Sequence, residues 1–434
     1  MISGGLVSSL AEAVNVVVFM AEQVTSGEVS SRPGFPSAER IGTDVTGSVP
    51  ETEMPPDPEL SPDSAPETEP EAGASDLALT ASPGFADWLA SQNASLTFAT
   101  PPAKVFFVGI RPDGDLGVFE RTFDKAMGVS AQGSEHVWLG TRSHLWRLDS
   151  MPLSEKALED GFDRCYVPKR AITTGYLNTH DVSATADGDV IFVATRFCVL
   201  AKPSETRSFD PYWQPPWLDR FEQGDRCHLN GFTRDETGAA YVTSVSATNG
   251  AESWRDYRNG GGVIAEVPSG EIVARGFSMP HSPRMRNGEL WCCNSGSGHL
   301  CRIDPKTGDV ERVAWAPGFL RGLGFIGDYA VVGSSRPREG DLYSGLELDG
   351  ALAAAGEKPK LGLFVIDLRS GEVVEWLFID GPMRELFDVT VLPGVRRPMA
   401  LGLIAPEIKQ RIYFDSNRIQ RDPDGSWTPG QVIA

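Results

Sequence analysis

The sequence predicts an all-β fold: a six-bladed β-propeller preceded by a disordered acidic tail. Three observations predict it. From residue 104 short β-rich runs alternate with Gly, Asp and Asn turns every 8–12 residues, the spacing of a sandwich, barrel or propeller. Those runs recur in units of roughly 40–65 residues, the length of a propeller blade. The two ends of the β-rich region are incomplete in complementary ways, so that strands from both termini close one blade and leave no open sheet edge. A seventh blade is the alternative count.

Taken in order, residues 1–80 hold fourteen acidic and two basic residues, so −12 of the formal net charge of −20 lies there. Residues 23–80 are rich in Pro, Glu, Ser, Thr and Gly and poor in aromatics. Such a segment cannot bury enough apolar area to offset its ordering entropy, so residues 1–82 are expected to be disordered. The apolar run before them has no basic flank and is bracketed by Glu12 and Glu22, unlike a signal peptide or membrane span. Residues 83–103 are expected to form a short helical lead-in, with PGFADWLASQNASL (83–96) as the helix.

The propeller is expected over 104–415, with 416–434 a C-terminal extension. One unit joins residues 126–149 to an outer strand near Cys165–Ile172. A second spans 179–203, with an Asp-Gly turn. A third joins 228–246 to 261–276. A fourth covers 281–315, with Asn-Gly and Thr-Gly hairpin turns. A fifth joins 320–335 to 362–379 across an insertion. The sixth combines two outer strands from 104–123 with two inner strands from 386–404.

Composition excludes some functions. The chain has 434 residues, 41% hydrophobic, ample for a large core. No clustered basic face points to nucleic acid. No membrane route is visible. Cys165, Cys198, Cys227, Cys292, Cys293 and Cys301 form no C-x-x-C pair and are read as reduced thiols of a cytoplasmic protein. Adjacent Cys292 and Cys293 point to opposite faces of a strand. There is no G-x-S-x-G, Walker A, H-E-x-x-H or dinucleotide fingerprint.

The innermost strand of each blade lines the channel. Aligning those strands brings together Met127-Gly128-Val129, His180-Asp181-Val182, His228-Leu229-Asn230, His281-Ser282-Pro283, Arg321-Gly322-Leu323 and Phe387-Asp388-Val389. Three histidines one blade apart suit a transition metal ion, with iron or copper favoured and zinc the alternative. Asp181, Asp388 or Glu385 would complete the shell or act as a base. Asn230 would bind substrate, or a hard cation in an oxygen-lined site. Arg321 is read as a carboxylate clamp, with a structural pairing to Asp388 or Glu385 as the alternative. The bland reading of the histidines is hydrogen bonding between blades. His136, His144 and His299 are read as surface or inter-strand residues.

Two loops are rich in aromatics. FDPYWQPPWLDRFEQGDRC (209–227) carries Tyr212, Trp213 and Trp217. SWRDYRNGGG (253–262) carries Trp254, Arg255, Tyr257 and Arg258. Both are expected to form an aromatic, basic rim for a small organic substrate, joined by Arg336, Arg338 and Glu339.

The strings NTHDV, DRCHLNG, SWRDYRNGGG, SMPHSPR, PGFLRGLGF and ELFDVTVLPGVRRP, in this order and spacing, resemble a bacterial family of conserved hypothetical proteins expected to be propeller-like. The resemblance covers about residues 100–415 and implies the architecture rather than an activity. Its strings include His180, His228 and His281. Cys292-Cys293 departs from the more usual aliphatic residues there, which argues against those cysteines as essential ligands.

The expected function is a metal-dependent propeller enzyme acting on a small molecule or modified peptide. His180, His228 and His281 would hold the metal, with Asp181 or Asp388 assisting and Arg321, Trp254 and Arg255 orienting substrate. Redox chemistry is favoured over hydrolysis by analogy of fold. The rival is a non-catalytic binding propeller with structural histidines, whose acidic tail tethers a protein partner.

Overall fold

A computed structural model of the chain describes residues 14–15, 17–19, 77–101, 103–235, 238–336, 344–403, 406–413, 419–421 and 427–429. The six blades expected from sequence are present, each a sheet with four principal strands. From channel to rim, blade one runs Val129–Gln132, His136–Gly140, His144–Met151, Arg164–Thr173. Blade two runs Val182–Ala184, Val190–Ala194, Val199–Lys202, Asp210–Trp213. Blade three runs Leu229–Asp235, Gly238–Ser244, Gly262–Glu266, Ile272–Phe277. Blade four runs Pro280–Arg286, Glu289–Asn294, His299–Ile303, Val310–Trp315. Blade five runs Phe319–Ile326, Tyr329–Ser335, Gly362–Asp367, Glu372–Asp380. Blade six runs Asp388–Pro393, Ala94–Thr100, Lys104–Ile110, Leu116–Thr122.

The core sits between blades, because strand side chains alternate faces. In Val190–Ala194, Ile191 and Val193 pack toward blade three while Phe192 and Ala194 pack toward blade one. Cys292 and Cys293 likewise go to different cores, one shared with blade three and one with blade five. The remaining two junctions, blades five with six and six with one, are filled by Phe98, Phe106, Val331 and Leu363, and by Phe107, Val129 and Leu139. Strands in the middle of a blade, such as Val190–Ala194, are buried on both faces and read as apolar throughout rather than alternating, whereas rim strands such as Val310–Trp315 are partly exposed.

The closing blade differs from expectation. The helix forms at Phe85–Ser91 but stops there, as Gln92 caps it and Asn93 turns into the left-handed region (φ 49). The next residues, Ala94–Thr100, are a fully buried strand rather than part of a lead-in. The N-terminal side therefore supplies three strands of blade six. The C-terminal side supplies only the innermost, Asp388–Pro393, which pairs antiparallel with Ala94–Thr100. Pro398–Ala400 instead runs parallel to Arg164–Thr173 at the rim of blade one, so the chain ends fasten two neighbouring blades.

Within the segment expected to be disordered, Ala78–Ala81 is a fifth strand on blade five, with Leu79 and Ala81 buried. Val14–Asn15 pairs with it, and Val17–Phe19 pairs with Leu116–Thr122. The rest of that segment lies outside the described residues. Ile419–Arg421 and Trp427–Pro429 of the C-terminal extension form a two-stranded sheet. No helix among the described residues is long and apolar enough to cross a membrane.

Blades meet at the channel in an alternating pattern. Blades one, three and five place Gly128, Gly231 and Gly322 at the contact. A Cβ at Gly128 would lie 2.8 Å from Asp181 Cα, and one at Gly322 would lie 2.6 Å from Val389 N. Blades two, four and six place Asp181, Ser282 and Asp388 there. Their side chains accept backbone N–H groups of the next blade, from Phe232 (3.2 Å), Gly322 (2.8 Å) and Val129 (3.1 Å). Buried N–H groups must be paired, and here a side chain takes the role a fifth strand would play.

Candidate active site at the channel mouth

The alternation fixes the register of the inner strands. Asn230, not His228, occupies the ring position of His180, His281 and Arg321. His228 lies two residues earlier. A shift of two keeps a side chain on the same face, so His228 still joins the group, one layer further out.

His180 and His281 are built alike. Two residues before each, Asn178 (φ 55) and Met279 (φ 51) adopt left-handed turns. Their carbonyls face the imidazole Nδ1 atoms, at 2.9 Å in both cases. A hydroxyl from the second strand's end also meets each Nδ1: Thr195 Oγ1 at 2.9 Å for His180 and Ser295 Oγ at 2.9 Å for His281. Those hydroxyls donate to the carbonyls of Leu229 and Leu320 in the following blades. A carbonyl can only accept, so Nδ1 carries the proton and Nε2 carries the lone pair. Burial holds both imidazoles well below the usual histidine range, His228 and Arg321 adding to the effect at His180 and Arg321 and His228 at His281. They are neutral at neutral pH. His281 Nε2 is buried without a hydrogen-bond partner among the described residues.

His228 is held differently. It takes the left-handed conformation (φ 53) at the end of a tight turn, as does Asp225 (φ 39). The turn brings Asp225 Oδ2 to 2.7 Å from His228 Nδ1. No described residue hydrogen-bonds its Nε2. Trp254 covers the ring at a centroid distance of 4.2 Å, and His180 meets it edge-on at 5.0 Å.

The group continues through aromatic contacts. Phe387 lies 5.5 Å from His180 and under the Arg321 guanidinium at 4.5 Å. Phe319 lies 5.1 Å from the same guanidinium and 5.6 Å from His281. Trp254 and Phe319 share one buried cluster with Met279. Three imidazoles, a guanidinium and three aromatic rings thus surround the channel mouth. Arg321 pairs with Glu385 at 3.1 Å, the alternative the sequence had left open, and not with Asp388. Among the described residues, no three His, Cys, Asp or Glu side chains are placed to hold one metal ion.

Asp181 and Asp388 do not assist the histidines. The following layer of the channel ties them to Arg284, which sequence reasoning passed over. A bulge between His281 and Arg284 turns Arg284 inward. It reaches Asp181 at 2.8 Å and Asp388 at 3.4 Å, bridging blades two, four and six. Burial pushes the Asp388 carboxyl up to about 7, opposed by Arg284 and reinforced by Asp181. Asp181 and Arg284 line a cavity of about 230 Å³ with Ser130, Ser183, Thr233 and Thr390.

The expected rim is also redrawn. Trp254 is buried, forming a wall of the site. Arg255 lies 4.7 Å from its ring and pairs with Glu252. Tyr212 and Trp213 form the outer strand of blade two, and Trp217 packs against the core between blades two and three. Arg336 donates to the carbonyls of Ile379, Gly381 and Met383, so its fork braces backbone rather than substrate. Arg338 and Glu339 lie outside the described residues. Asn230 is buried, its Oδ1 accepting from Thr243 and its Nδ2 without a partner among the described residues. His136, His144 and His299 bond Asp149, Ser143 and Ser297 within their blades.

Solved structures offer several likenesses to this chain. The fold is similar to a chain of the nidogen/laminin complex, at 10% identity over 70% of this chain and 99% of that one (TM-score 0.43). It is also similar to a protein of unknown function from Bacteroides caccae, at 12% identity over 69% and 98% (TM-score 0.40). A third is virginiamycin B lyase from Staphylococcus aureus, at 10% identity over 67% and 95% (TM-score 0.32). No curated protein matches the sequence. A family profile described as a domain of unknown function, DUF4915, matches residues 83–401.

Proposed function

This chain belongs to the DUF4915 family, and for it we propose an enzyme that moves a proton on a small polar molecule bound at the channel mouth. The observation that carries the reading is the Asp225–His228 pair, whose imidazole is buried. A carboxylate on Nδ1 fixes the tautomer, stabilises the imidazolium and leaves Nε2 as the base. His180 and His281 offer two further lone pairs, which accept hydrogen bonds from substrate N–H or O–H groups. The Arg321–Glu385 pair orients a polar end of the substrate, and Trp254 keeps water off His228. The reaction class is elimination or hydrolysis begun by proton abstraction.

The test is a thermal-shift screen of hydroxy acids, amino acids, sugar acids and cyclic peptides, followed by turnover assays. A ligand present at a hundred times its Kd stabilises the fold by about 2.7 kcal/mol. We expect one class to raise the melting temperature and to be converted. His228→Gln should keep that shift and lose the conversion. Conversion by His228→Gln at the wild-type rate contradicts the assignment. A shift with no conversion in either protein favours the binding propeller.

A second reading keeps a transition metal ion on His180, His228 and His281, which as placed would have to draw together to hold it; iron or copper would supply redox chemistry there and zinc hydrolysis. The observation favouring it is that all three Nδ1 atoms are anchored by oxygen atoms, the outer-shell arrangement of metal-binding imidazoles. Loading with each ion separates the readings. A metal site would bind one equivalent and lose it in His281→Ala.

A further inference from the structure

The turn that presents His228 also holds two thiols. Cys198 ends the 3-10 turn Thr195–Phe197 of blade two, and Cys227 immediately precedes His228. The two thiols lie close enough to act on each other electrostatically. The Cys227 backbone N–H also points to Cys198 Sγ, at 3.4 Å. Cys198 Sγ lies 3.7 Å from Asp225 Oδ1 and 3.4 Å from the Thr195 carbonyl. Asp225 therefore holds His228 Nδ1 with one oxygen and the Cys198 thiol with the other. Both cysteines are fully buried, and neither has a role in the proton transfer proposed above.

The conformation of Cys198 adds a second observation. It sits in the left-handed region (φ 52), at the cap position that blade four fills with Gly298 (φ 72). A non-glycine residue there carries strain, which persists where the surrounding structure has a use for the side chain. The strain places Cys198 Sγ between Cys227 and Asp225.

We propose that Cys198 and Cys227 form an internal disulfide on oxidation by a peroxide, and that this bond loosens the hold of Asp225 on His228. The thiols lose two protons and two electrons as the S–S bond forms. The peroxide O–O bond breaks, and with hydrogen peroxide the oxygens leave as two water molecules. Burial drives the Cys198 thiol well up. One thiol attacks the peroxide as its thiolate, and the second displaces the oxygen from that sulfur to close the S–S bond. In the disulfide Cys198 has no S–H to give Asp225, and the bond draws on the backbone next to His228. The effect on His228 chemistry rests on the proposed function, whereas formation of the disulfide does not.

Cys292 and Cys301 are the internal comparison. They face each other across adjacent strands, yet burial raises both thiols and no hydrogen bond joins them among the described residues. They should stay reduced.

The experiment uses the full chain, reduced and then freed of reductant. In denaturant it should show all six thiols. After hydrogen peroxide, two thiols should be lost, and non-reducing peptide mass spectrometry should find Cys198 joined to Cys227. Cys198→Ser and Cys227→Ala, either of which suffices if the other folds poorly, should retain their thiols under the same treatment. The 15N resonance of His228 Nδ1 should move on oxidation and return with dithiothreitol. Retention of six thiols, or a Cys292–Cys301 link instead, overturns the disulfide. A Cys198–Cys227 bond that leaves the His228 resonance in place overturns the coupling.

Discussion

Arg284→Met should destabilise the fold by about 3–5 kcal/mol at pH 8, since it strands two buried carboxylates. Asp181 and Asp388 are 3% and 2% exposed, and Arg284 is the cation that pairs with both. The loss should shrink at low pH. Asp388 already has its folded pKa raised to about 7 by burial, against an ordinary carboxyl near 4. A group raised in this way binds more protons folded than unfolded. Its contribution is complete below the unfolded value and is lost as pH rises through the folded one. Without Arg284 both carboxyls move further up, so the variant pays its full penalty only where they must ionise. Urea denaturation at pH 5 and pH 8 checks this. His180 and His281 have lowered folded values and slope the other way below about 6.5, but their contribution cancels when variant and wild type are compared. Adding Asp388→Asn to Arg284→Met should restore much of the loss at pH 8. A loss that is the same at both pH values would show that the guanidinium acts through packing alone.

The second large effect concerns turnover. With a converted substrate in hand, Asp225→Asn should lower kcat by about 10²–10⁴-fold, the usual worth of a positioned general base. KM should change little, because Asp225 acts through His228 rather than on the substrate. The double variant with His228→Gln should be no worse than either single one, since residues acting as a unit are not additive. Steady-state kinetics on variants with an unchanged circular dichroism spectrum decide it. An effect confined to KM would make Asp225 a binding residue.

The blades were legible in the sequence because both ingredients are local. Turn pairs such as Asn287-Gly288 and Thr307-Gly308 mark hairpins, and β-branched runs mark strands between them. Ala94–Thr100 was missed because the helix before it is real and only the left-handed Asn93 separates the two. The outer strand Asp210–Trp213 was hidden by Pro211, which an edge strand tolerates.

The site was legible by residue type and not by role. His180 and His281 follow one rule, a left-handed residue two positions before and a hydroxyl from the next strand's end. That rule becomes visible only once Thr195 and Ser295 are seen to occupy equivalent places. Asp225 and Arg284 were inside quoted strings, DRCHLNG and SMPHSPR, without being singled out. Their directions depend on a tight turn and a strand bulge, which no period-two pattern encodes. The sequence offers Asp181 and Asp388 as partners of the channel histidines, but neighbouring strand residues point apart: Asp181 turns away from His180 and, with Asp388, faces Arg284.

Three imidazoles are locked with the proton on Nδ1 and present bare Nε2 atoms to the channel mouth. Long-range 1H–15N correlation spectroscopy of imidazole-labelled protein tests it most directly, with assignments from His180→Gln, His228→Gln and His281→Gln. At neutral pH His180 and His281 should show the neutral Nδ1–H tautomer. His228 should carry a proton on Nδ1 as well. A proton on Nε2 of neutral His180 or His281 would mean that those Nδ1 atoms do not donate to Asn178 and Met279, and would contradict the account of the site.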